Sequence, residues 1–94
     1  MKAIWNGAVI AESDDIVVVE GNAYFPLCSL KKQYFRDSTH TSVCGWKGTA
    51  NYFDVVVGDA VNANAAWIYR TPKDAARQVT DRVGFWKGVA IGKE

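Results

Sequence analysis

Three observations predict a mainly β fold with a minor helical part. Short runs rich in Val, Ile, Tyr, Phe and Trp recur along the chain; turn signals such as Asn6-Gly7, Gly21-Asn22 and Gly58-Asp59 separate them. The connections are too short for repeated parallel crossovers, so the strands should pair antiparallel in a small two-sheet or half-barrel arrangement. With 94 residues the chain suits one domain, not two. Its 49% apolar and 22% charged content excludes a disordered tail, a collagen-like repeat and a coiled coil.

Trp5-Asn6-Gly7 closes the first expected hairpin, with Ala8 to Ala11 returning after the Asn-Gly turn. Ser13-Asp14-Asp15 marks the next turn, and Ile16 to Glu20 reads as a third strand that continues the meander. Its apolar residues fall on both faces, which places it centrally, with Glu20 projecting where it emerges. From Pro26 the period changes: Leu27, Leu30 and Tyr34 at spacings of three and four predict a short helix near 27–35. The polar run from Arg36 to His40 is expected to be a loop, with His40 on its surface.

Thr41 to Trp46 and Thr49 to Val57 suggest a long hairpin around Lys47-Gly48. Alternation puts Phe53, Val55 and Val57 on one face and Tyr52, Asp54 and Val56 on the other, leaving Asp54 as a polar exception. Ala65 to Tyr69 is a further strand. Thr71-Pro72-Lys73-Asp74 then has the form of a helix start near 72–81: Thr71 as N-cap, Pro72 first, and Ala75, Ala76 and Val79 as its apolar stripe. Val83 to Trp86 and Val89 to Ile91, separated by Lys87-Gly88, read as a closing hairpin.

The block Cys44-Gly45-Trp46-Lys47-Gly48-Thr49-Ala50-Asn51-Tyr52 resembles the Cys-Pro-aromatic-Lys-Gly-x-Ala-x-Tyr block of domain-of-unknown-function family 427. The family also carries a nucleotidyltransferase-like label. Matching segments extend from Trp5-Asn6-Gly7 through Glu20 to Pro26, Ala66-Trp67-x-Tyr69, Pro72 and Val83-x-Phe85, covering nearly the whole chain. The resemblance implies a bacterial protein with a β-tent type of fold, two antiparallel sheets meeting at an angle over a cleft. It implies no known reaction. Gly45 stands where the family usually has Pro, which removes a fixed φ beside Cys44. Carried over where the motif matches, the residues expected to line the cleft and bind a ligand are Glu20, Tyr24, Cys44, Lys47, Tyr52, Trp67 and Tyr69.

The chemistry of these residues allows three readings. In the first, aromatics enclose a small-molecule or nucleotide-like ligand while Glu20 and Lys47 orient it. In the second, Lys47 or Cys44 acts in an enzyme, since a desolvated lysine can serve as a base and a nearby cation favours a thiolate. In the third, the chain is a protein-interaction module, and a homodimer is compatible with it. A Cys44–His40 dyad fails because four residues of extended strand separate the two by about 13 Å.

Two cysteines and one histidine at unrelated spacings supply no zinc knuckle, unlike some β-tent relatives, so no metal and no cofactor are expected. The nucleotidyltransferase label lacks both a glycine-rich phosphate cradle and an evident pair of metal-binding carboxylates. A formal charge of +1 weighs against polyanion binding, so Lys31, Lys32 and Arg36 beside Tyr34 and Phe35 read as a solvated face with inward aromatics. A cytoplasmic chain is expected, since no membrane span or signal pattern is seen and sparse Cys28 and Cys44 read as reduced thiols.

Overall fold

The computed structural model describes residues 1–92, among which the chain forms nine strands. These are β1 (Lys2–Trp5), β2 (Ala8–Glu12), β3 (Val17–Val19), β4 (Asn22–Pro26), β5 (Phe35–Cys44), β6 (Gly48–Val57), β7 (Ala60–Ile68), β8 (Arg82–Phe85) and β9 (Ala90–Gly92). They build two antiparallel sheets, one of three strands in the order β2-β1-β9 and one of six in the order β3-β4-β8-β7-β6-β5.

The two faces of the six-stranded sheet follow directly from strand alternation. Phe25, Phe53, Ile68, Val83 and Phe85 point to one side, where they share a buried cluster with Ala3, Ile10 and Ala11 of the three-stranded sheet. Phe25 and Phe85 meet edge to face at 5.5 Å, a geometry that adds about 0.5–1.5 kcal/mol to their burial. Their chain neighbours Tyr24, Tyr52 and Trp67 point the other way, into a second cluster closed by Tyr69, Ala76 and Val79. The core therefore lies between the sheets, and the second cluster lies on the outer face of the larger sheet.

The Asn6-Gly7 hairpin forms as expected, with positive φ at both residues. Pairing beyond it differs from the simple meander. The strand after Ser13-Asp14-Asp15 leaves the first sheet and becomes an edge of the second, pairing with β4 through Val17↔Tyr24 and Val19↔Asn22. Val19 is buried but Val18 on the opposite side is 62% exposed, so this strand is apolar on both sides without being covered on both. Likewise β8 and β9 do not pair with each other: β8 inserts between β4 and β7, while β9 crosses to β1. The segment Arg36 to His40 is strand, not loop, interrupted by an irregularity between Asp37 and Thr41.

Both expected helices are replaced by 3-10 turns, and the reason is tertiary in each case. Leu27–Ser29 and Lys32–Tyr34 are single turns separated by extended Leu30 and Lys31. Lys31 donates its backbone N–H to the Ile10 carbonyl at 2.8 Å and Leu30 bridges to Ala11, so the segment is hydrogen-bonded to β2 instead of to itself. The later helix begins at Asp74, not Pro72, and runs to Val79 without a side-chain cap. Lys73 is extended and donates its N–H to the Lys47 carbonyl at 2.8 Å, so Thr71 cannot cap. Of the expected stripe, Ala76 and Val79 are buried and Ala75 is exposed.

Asp54, the polar exception, accepts the Asn64 N–H at 2.9 Å and pairs with Arg36 at 3.4 Å. It thereby satisfies a residue held at positive φ where β7 bends.

Candidate functional site

Lys47 sits in the turn between β5 and β6, and its loop is fixed from outside. Its carbonyl accepts the Lys73 N–H, and the Lys73 ammonium donates to the Gly45 carbonyl at 2.7 Å. Gly48, at φ +111, passes so close to Thr71, Pro72 and Lys73 that a Cβ would lie 3.6–3.7 Å from their backbone atoms. The Lys47 side chain turns inward and is 7% exposed. Its Nζ lies 2.5 Å from Glu20 Oε1 and faces the Trp46 and Tyr69 rings at 5.3 and 5.8 Å.

Glu20 reaches it from the β3–β4 hairpin, where Glu20 and Gly21 both have positive φ, as a tight two-residue turn requires. Burial by itself lowers the pKa of the Lys47 ammonium, yet the net displacement is upward from 10.5. The Glu20 hydrogen bond, the oxygens of Tyr24 and Tyr69 and the Glu20 charge together outweigh desolvation. Burial pushes the Tyr69 phenol above its usual 10.0; Lys47 opposes that displacement, and Tyr24, Cys44 and Tyr52 add to it.

Beside this ammonium is a pocket of about 170 Å³ lined by Lys47, Tyr52, Trp67, Tyr69 and Trp86. Trp67 and Trp86 meet edge to face at 6.2 Å, and the Trp86 N–H donates to the Asn64 carbonyl at 2.6 Å. The Tyr52 hydroxyl is 2.9 Å from the Ser42 hydroxyl, and its ring lies 4.6 Å from the His40 imidazole. Beneath the wall, Trp67 donates its indole N–H to the fully buried Tyr24 hydroxyl at 3.2 Å. Trp67 rests on Gly84, where a Cβ would fall 2.5 Å from the indole.

Of the seven residues expected at the site, Lys47, Tyr52, Trp67 and Tyr69 therefore line one pocket. The other three stand behind it: Glu20 holds the ammonium, Tyr24 anchors Trp67, and Cys44 packs against the second cluster. The pocket opens on the outer face of the six-stranded sheet, whereas the inner face carries the main core packed against the three-stranded sheet. Trp86 is absent from the seven because the sequence places it inside a closing hairpin. His40, expected on a surface loop, instead lies on β5 with its ring against Tyr52. The family resemblance was the signal for Lys47, Tyr52, Trp67 and Tyr69; nothing local pointed to Trp86.

The family model described as a domain of unknown function, DUF427, matches residues 1–92. The chain belongs to this family. A comparison with curated proteins found no match. Family membership brings no reaction with it, and the carboxylates raised by the nucleotidyltransferase-like label have separate partners: Glu20 engages Lys47 while Asp54 engages Arg36 and Asn64. Among the described residues no three His, Cys, Asp or Glu side chains gather as a metal-ligand set, and no helix is long and apolar enough to cross a membrane. Cys28 and Cys44 are free thiols.

Proposed function

We propose that this member of DUF427 binds a small planar molecule, a single ring bearing a carbonyl or carboxylate, in the pocket beside Lys47. One observation carries the reading: a buried ammonium and four aromatic side chains border the same concavity. The rings offer flat apolar walls, and the ammonium has donors beyond the one directed at Glu20. Size narrows the ligand. A cavity of about 150 Å³ accepts benzene, and pockets for drug-sized ligands run to about 300–1,000 Å³. The 170 Å³ here suits one ring, such as the base of a nucleotide-like ligand, and not a whole nucleotide.

The state of Lys47 favours binding over covalent catalysis. A lysine that acts as base or nucleophile must give up its proton, and lysines used so have lowered pKa values. Here the displacement is upward, which suits a permanent cation that orients an acceptor.

The test is a thermal-shift and native mass-spectrometric screen against single-ring heterocycles and aromatic carboxylates, with Lys47→Met and Trp86→Ala in parallel. A compound that stabilises the protein and loses its effect in both variants supports the reading. Compounds that bind equally well to Trp86→Ala, or none that bind, overturn it.

A further inference from the structure

A second and larger concavity, of about 350 Å³, lies on the face of the six-stranded sheet opposite the Lys47 pocket. Its apolar surface comes from Leu27, Leu30, Phe35 and Phe53. Leu27 and Leu30 belong to the extended and 3-10 segment that is hydrogen-bonded to β2, so that wall is tied to the three-stranded sheet. Phe35 and Phe53 meet edge to face at 6.2 Å on β5 and β6. Lys32, Asp37 and Arg70 complete the lining. The register sets Asp37 opposite Phe53, and Arg70, two residues beyond Ile68, follows the same side of the sheet.

Arg70 is the informative residue. Its guanidinium lies over the Phe53 ring at 5.6 Å, which holds an otherwise mobile side chain at the border of the apolar surface. Among the described residues no carboxylate lies within ion-pair distance of Arg70 or of Lys32. Two cations against one Asp37 leave the concavity with one net positive charge, and its volume falls in the range of small-molecule sites. An apolar body with a single anionic group matches that combination, because a planar guanidinium takes a carboxylate through two parallel hydrogen bonds.

We infer that this concavity is a binding site for a small apolar monocarboxylic acid, with its hydrocarbon part against Phe35, Phe53 and Leu30 and its carboxylate on Arg70 and Lys32. The site is separate from the one proposed above and does not depend on it.

The experiment is a titration of the ¹⁵N-labelled protein with 4-phenylbutyrate, followed by amide chemical shifts and repeated with the neutral analogue 4-phenylbutan-1-ol. Saturable shifts centred on Leu30, Phe35, Phe53 and Arg70 are expected, with affinity for the alcohol about 10-fold lower, as befits the loss of one charge-assisted hydrogen-bond pair. Arg70→Gln should weaken the acid by a similar factor and leave the alcohol unchanged; Trp86→Ala, in the other pocket, should leave the shifts at Leu30, Phe35, Phe53 and Arg70 as they are. Equal affinity for acid and alcohol overturns the inference, as do shifts confined to Trp67 and Trp86 or the absence of saturation. The comparison of acid with alcohol on the unaltered protein decides the matter even where a variant folds poorly.

Discussion

The Lys47 ammonium lies 2.5 Å from a Glu20 carboxylate oxygen, yet the lysine side chain is 8% exposed and that of the glutamate 55%. The pair is thus a buried cation capped by a carboxylate that remains in contact with water. Removal of either partner should have unequal consequences, because only one of the two charges is stranded without the other.

Glu20→Gln leaves the ammonium buried without its counter-charge, whereas Lys47→Met leaves a carboxylate that water can solvate. Glu20→Gln should cost about 1–3 kcal/mol, between the values for exposed and buried pairs, and Lys47→Met should cost less. Urea unfolding of both variants checks this. A larger loss for Lys47→Met would mean that packing of the lysine stem, not its charge, dominates.

Stability should fall on the alkaline side. The folded-state pKa of Lys47 is raised above 10.5 and that of Tyr69 above 10.0, so in both cases the native state holds its proton where the unfolded chain releases it. Their contributions are complete below those ordinary values and are lost as pH rises through the folded ones. Urea midpoints measured upward from neutrality should show no change from these two groups until about pH 10, then a decline. Glu20→Gln should make the decline shallower, since it replaces a charged hydrogen-bond acceptor of Lys47 by a neutral one and so weakens both the bond and the charge attraction that favour the protonated lysine.

Gly84→Ala should disturb the pocket wall from behind. The new Cβ would sit 2.5 Å from Trp67 Cζ2 and 2.7 Å from Cε2, so the indole must move and its hydrogen bond to Tyr24 must stretch or break. A loss of about 1–3 kcal/mol is expected from the overpacking, with a change in tryptophan fluorescence. Unchanged fluorescence and stability would show that Trp67 has room to retreat.

Gly48→Ala tests the anchoring of Lys47. At φ +111 an L side chain is strained whatever the space around it, and a cost of about 1–3 kcal/mol follows. Relief of that strain would pull the loop from Lys73, so the Lys73 amide should lose protection from hydrogen exchange as its bond to the Lys47 carbonyl weakens.

The local features of the fold are written in local sequence. Asn6-Gly7 makes a turn because left-handed backbone is cheap there, and alternation in Tyr52-Phe53 or Trp67-Ile68 sorts each pair to opposite faces because strand geometry has a period of two. Spacing alone puts Tyr52 on the side away from Phe53, while the four pocket residues Lys47, Tyr52, Trp67 and Tyr69 were expected from the family resemblance.

Partner choice is another matter, since every strand edge carries the same backbone donors and acceptors. The tight turn at Glu20-Gly21 pairs β3 with β4 locally, but nothing within that hairpin sets it in the larger sheet beside β8, and nothing within Ala90 to Gly92 sends it to β1 instead of β8. Those pairings depend on which distant surfaces can be buried together, as does the entry of Trp86 into the pocket wall. The same competition turned the helical spacing of Leu27, Leu30 and Tyr34 into two 3-10 turns, once the Lys31 N–H found the Ile10 carbonyl. Sequence by itself determined the Asn6-Gly7 turn, most of the strands and the faces of residues such as Tyr52 and Phe53, because dihedral preference and side-chain period are properties of neighbouring residues; it did not determine β4 or the strand from Arg36 to His40. Only the tertiary structure decided the sheet order, the Glu20–Lys47 pair and the position of the pocket on the outer face, because each joins groups that the chain brings together only when it folds.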